Sequence, residues 1–135
     1  MNTTERAIFN LREEIDRSMS GGWTCKNPIP FKVGPFEPKL VEFLIGEEKI
    51  ITGAEMVKRA NEMGINTGIR HAEALIREQI IMDKTWNRHV LVFPEVWTGP
   101  GGDSVWCLYG DMKIWQIQYD ELIHGFNSDY RFVSV

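Results

Sequence analysis

The cysteines and histidines, the side chains most typical of zinc sites and of activated nucleophiles, number five: Cys25, Cys107, His71, His89 and His124. A structural zinc needs four such ligands close together, and none of the five stands in a ligand-pair spacing. No metal and no cofactor is therefore expected. Cys107 as a nucleophile would need a base, for which His89 and His124 are candidates. Its place in the middle of an apolar strand predicts a buried thiol instead. The run Thr98-Gly99-Pro100-Gly101-Gly102-Asp103-Ser104 is rich in glycine. It lacks the Lys-Ser/Thr ending of a phosphate loop, and no helix follows it; it is expected to be a flexible loop. Glu13/Glu14 and Glu47/Glu48 are sequence neighbours that point to different sides of their elements, so they are solvated charges. No enzymatic signature results, and a non-enzyme is expected.

The basic side chains suggest another chemistry. Thr52-Gly53-Ala54-Glu55 is a capping box that opens a helix, with Met56, Val57, Ala60 and Met63 on its buried face. Gly64 ends it in a left-handed cap. Ile65-Asn66-Thr67 forms the turn, and a second helix runs to about Gln79 with Ile69, Ala72, Leu75 and Ile76 inward. Ala60, four residues before Gly64, lets two helices approach closely. Helix, glycine turn, helix, then strands resembles a winged helix-turn-helix from about Thr52 to Phe93. Gly53-Ala54-Glu55-Met56-Val57, with Ile80-Ile81 later, is also similar to the start and strand of the DEP-type winged helix of signalling proteins. The resemblance implies that the second helix enters a DNA major groove. Asn66, Thr67, Arg70 and His71 would face the bases, with Arg70 suited to guanine edges. Arg77, Lys84 and Arg88 would contact phosphates, and residues 83–87 would be the wing tip. Against this, residues 55–88 carry six basic and five acidic side chains, a net of +1, where phosphate neutralisation calls for clustered cations.

The last third offers a different surface. Residues 1–88 hold 13 basic and 13 acidic side chains, whereas residues 89–135 hold two basic and six acidic ones. The whole net charge of −4 lies in that last third, where it would repel nucleic acid. Trp97, Trp106 and Trp115 lie there too. Gly110-Asp111 reads as the two-residue loop of a tight hairpin. That register sets Trp106 opposite Trp115 and Cys107 opposite Ile114. Trp97, Trp106 and Trp115 with Asp103 and Asp111 would then form an aromatic patch rimmed by acids, fit for a basic protein partner.

These side chains depend on the elements that carry them. Residues 2–19 have Ile8, Leu11, Ile15 and Met19 on one helical face. Four prolines in residues 23–38 predict an extended segment. Pro38 is placed as the first residue of a short helix to Leu44. Residues 80–82 and Arg88–Phe93 read as strands, the second ended by Pro94. Val105–Tyr109 and Met112–Tyr119 form the hairpin, Asp120–His124 a helical turn, and Arg131–Val135 a last strand. Helices first and strands later predict a single α+β domain over residues 1–135. Its winged-helix-like core (about residues 49–93) would carry an extra N-terminal helix and a C-terminal antiparallel sheet. With 43% apolar and 25% charged residues the chain is expected to be globular. The broken apolar runs at its start predict no secretion, no membrane span and a cytoplasmic protein with reduced cysteines. The expected function is a small regulator that binds DNA; the alternative is an inhibitor or adaptor that binds a protein.

Overall fold

The computed structural model describes residues 22–26, 29, 38–78, 86, 88–111 and 114–134. The expected helix over residues 2–19, the strand at 80–82 and the wing tip at 83–87, except Trp86, lie outside them.

Eight strands and two helices follow one another: β1 (Thr24–Cys25), β2 (Lys39–Val41), β3 (Ile50–Thr52), α1 (Gly53–Glu62), α2 (Ile69–Glu78), β4 (Val90–Gly99), β5 (Gly102–Asp111), β6 (Ile114–Glu121), β7 (Gly125–Asn127) and β8 (Tyr130–Ser134). Strands make up 47% of the described residues, so the fold is mostly β. One sheet runs in the order β2-β8-β4-β5-β6, with β1 added beside β4. Its pairs are antiparallel except β4 with β8. A second, two-stranded ribbon pairs β3 with β7.

The winged-helix-like core is overturned by where the two helices pack. Met56 and Ala60 of α1 share a buried cluster with Val92, Val96, Val105, Cys107 and Phe132. Ala72 and Leu75 of α2 share another with Leu91, Phe93, Leu108 and Val133. Val92 alternates with Leu91, Cys107 with Leu108, and Phe132 with Val133. Alternate residues of a strand point to opposite faces of its sheet. The helices therefore lie on opposite faces of one sheet and share no core of their own. The ribbon covers the α1 face, contributing Ile51 and Phe126 to the first cluster.

The local signals that start and end α1 hold, whereas Met63, expected on its buried face, is 48% exposed. Thr52 caps the helix, its Oγ1 accepting from the Glu55 N–H at 3.2 Å. Gly64 turns the chain at φ 71°, and the Ile65 N–H donates back to the Ala60 carbonyl at 2.9 Å. Other expectations fail for tertiary reasons. Residues 39–41 form an edge strand on β8 and not a helix, because the backbone groups of Phe132–Ser134 need a partner. Pro94 does not end β4. It sits with Glu95 in a bulge between Phe93 and Val96, where a missing N–H breaks no ladder bond. Pro100-Gly101 makes a tight hairpin between Gly99 and Gly102 rather than a flexible loop. The β5–β6 pairing is centred two residues beyond Gly110-Asp111, since Asp111 pairs with Ile114. Trp106 therefore faces Tyr119, and Cys107 faces Gln118. Strand β6 continues through Asp120 to Glu121, in place of the expected helical turn.

Candidate functional site

The helix expected to read DNA presents only part of its expected surface. Asn66, Arg70 and Arg88 are exposed. Thr67 is fully buried, its Oγ1 donating to the Val133 carbonyl at 2.7 Å. His71, one turn further, is buried too. These two residues are corrected from base readers to packing residues: α2 turns the Thr67–His71 side toward the sheet. The side chain of Arg77, and Lys84 as a whole, lie outside the description.

What holds α2 there is Glu95, which belongs to no motif in the sequence. The β4 edge that β8 pairs along Val90–Val92 is taken up again by β1 at Trp97–Thr98. The bulge stands in the gap between them, and the connector from α1 to α2 passes there. A Cβ on Gly68 would lie 2.5 Å from the Glu95 carboxyl carbon, so only glycine allows this approach. Glu95 Oε1 accepts from the Ile69 N–H and from Trp97 Nε1, both at 3.2 Å, and Oε2 accepts from the Ile29 N–H at 2.7 Å. One buried carboxylate thus satisfies donors from the proline-rich segment, the first turn of α2 and the sheet. The negative charge also suits a helix N-terminus. The His71 Nδ1 accepts from the Gly68 N–H at 3.0 Å, so the proton of the neutral ring sits on Nε2. Burial pushes the imidazole pKa down, with the charge of Glu95 acting the other way. Both carboxylate oxygens are occupied by backbone or indole donors, so the group acts as a tether. A signal existed: a lone acid after proline inside the apolar run from Val90 to Trp97 marks a bulge with a buried polar group.

The tryptophan patch is likewise corrected. Trp97 is 8% exposed and Trp106 1%. They pack edge to face at 6.0 Å between ring centres, and Tyr119 meets Trp106 at 5.6 Å and Trp23 at 4.6 Å. Neither tryptophan is free to anchor a partner. The side chains of Trp115 and Asp111 lie outside the description. Asp103 accepts from Thr98 Oγ1 at 2.7 Å and pairs with Lys26 Nζ at 3.0 Å; these bonds hold its carboxyl below the usual range. Cys107 is fully buried, and burial together with nearby Asp120 pushes its thiol pKa well up. That is the opposite of an activated nucleophile. Among the described residues no group of His, Cys, Asp and Glu could hold a metal ion, and no helix is long and apolar enough to cross a membrane.

The open surface lies on the α1 face. A groove of about 380 Å³ is lined by Ala54, Val57, Val96 and Leu122, with Lys26 and Asp103 beside them. It adjoins the ribbon through a Gly53 N–H bond to the Leu122 carbonyl at 3.0 Å. Next to Leu122, Ile123 is 79% exposed, and Ile50 of β3 is 59% exposed, lying over Gly125. Sequence periodicity could not reveal this surface, because Leu122 and Ala54 meet only through the ribbon. No protein-family model, curated protein or solved structure matches the chain.

Proposed function

We propose that the protein is a non-catalytic module that binds another protein through this groove and the ribbon end beside it. The carrying observation is an apolar groove whose lining residue Leu122 is followed in the chain by Ile123, a large aliphatic side chain left in water, with a second one, Ile50, exposed on the adjoining ribbon. Scattered apolar residues are ordinary on a surface, but an apolar groove flanked by them is the pattern of a contact site. Buried side chains at its centre would supply the affinity. The acidic balance of residues 89–135 favours a partner segment that mixes apolar and basic side chains. The exposed Arg70, Asn66 and Arg88 stand apart from this surface, and their neighbourhood has almost balanced charge, which supports nucleic acid weakly.

The test compares wild type with Ile123→Asp and Val57→Asp in affinity capture from the native host, beside a salt series on mixed duplex DNA. A protein held by wild type and lost by both variants supports the reading. Partners that both variants retain, or tight DNA binding that falls steeply with salt and is unaffected by either variant, would overturn it.

A further inference from the structure

The two outer edges of the main sheet are built differently, and one of them is built to be joined. Strand β2, at one end, has three residues, follows Pro38 and starts with Lys39. Short length, proline and lysine are the features that keep an edge from pairing. Strand β6, at the other end, has eight residues, Ile-Trp-Gln-Ile-Gln-Tyr-Asp-Glu, with neither proline nor lysine among them. Among the described residues it pairs only with β5, over an unbroken register from Asp111↔Ile114 to Ser104↔Glu121. Among the described residues no bulge turns this edge away, and its outward N–H and C=O groups form a continuous row.

We infer that β6 pairs antiparallel with β6 of a second copy, extending the sheet through a two-fold axis. This goes beyond the protein-binding reading and does not depend on it, since the pairing uses the outward backbone edge of residues 114–121, whereas the groove starts at Leu122, just past that strand, and opens on the α1 face. A two-fold antiparallel pair requires each residue to meet one of the same parity, so that outward groups meet outward groups. A register centred on Ile117 sets Ile117 against its copy and Gln116 against Gln118. Asp120 then stands opposite position 114, so the two carboxylates at the end of each strand avoid those of the other copy. Like charges directly opposite would destabilise the pair. Tyr119, 38% exposed at this edge, gains cover. The occupant is a second copy because the strand is complementary to itself in length, parity and charge placement.

Sedimentation of the full chain over a dilution series, joined to hydrogen exchange, tests this. Wild type is expected at twice the chain mass, dissociating on dilution. The amides of residues 114–121 that point away from β5 should exchange faster in the dilute sample. Ile117→Lys and Ile117→Glu should each sediment as a single chain, because like charges meet on the axis, and an equal mixture of the two should regain the double mass. Since Ile117 also packs against the α2-side cluster, the exchange measurement on wild type decides if either variant fails to fold. Single-chain mass for wild type throughout, a dimer with unprotected edge amides, or folded variants that stay paired would each overturn the inference.

Discussion

The two helices have the same length, ten residues each, yet opposite means hold them to the same sheet. Helix α1 is bounded by its own neighbours: the Thr52 cap, the Gly64 turn and an ion-pair web on its outer side. In that web Arg59 grips both oxygens of Glu48 at 2.7 and 2.9 Å, reaches Glu55 at 3.2 Å and donates to the Phe43 carbonyl at 2.8 Å. Helix α2 starts on a carboxylate that arrives from a bulge 26 residues further along the chain. Local devices can be removed one at a time at small cost. A shared buried group cannot, because its loss strands every donor that depends on it.

The largest break in this comparison should come from Glu95→Leu. It leaves the buried Trp97 indole and the half-buried N–H groups of Ile29 and Ile69 without an acceptor, a loss of about 3–5 kcal/mol. Urea unfolding would read it, and exchange should show α2 opening before α1. A loss within about 1 kcal/mol would end the claim that Glu95 holds α2.

Next comes the acid response of His71. Burial lowers the folded-state pKa from its ordinary 6.5, so the unfolded chain takes up the proton first. The stabilising contribution is complete above 6.5 and is lost as pH falls below that value toward the depressed folded one. His71→Gln should flatten the wild-type decline in this window; equal slopes in both proteins would remove His71 from the account.

Thr52→Ala tests the local side. One cap bond is lost, and about 1 kcal/mol of stability should go with it. Thermal unfolding should show a single transition, with α2 protection unchanged relative to α1.

The smallest effect belongs to Glu48. The hydrogen bonds from Arg59 and the Ile45 N–H lower its pKa from 4.5 to about 2. Its contribution is present above 4.5 and fades as pH falls through about 2. The pair faces solvent, so salt should weaken it further. Glu48→Gln should differ from wild type only slightly near neutrality and not at all at the acid end. A large difference at neutral pH would show that this web does more than pin residues 43–48 to α1.

Much of α1 was legible because its signals act over three or four residues: a side-chain oxygen reaches the N–H three positions on, and a glycine supplies a positive φ. The β5–β6 hairpin was legible as two apolar strands about a turn. Its register was not, since moving the centre of the hairpin by two residues shifts every cross-strand partner by four, which preserves the faces and leaves the alternation unchanged. That shift separates Trp106 from Trp115. Of the candidate sites, Asn66, Arg70 and Arg88 lie on the surface as expected, whereas Thr67, His71, Trp97 and Trp106 are buried. The groove and the tether were invisible, each being made of residues far apart in the chain.

By itself, then, the sequence determined where helix α1 begins and ends, that the glycine at 64 turns the chain, and that the second half would pair as strands. Only the tertiary structure decided which face of the sheet each helix covers. A stripe of apolar side chains specifies that a helix must be buried, while the surface that buries it is created by strands pairing over long separations. Here β8 beside β4, and β1 beside β4 past the bulge, leave the gap through which the connector sends α2 to the other side.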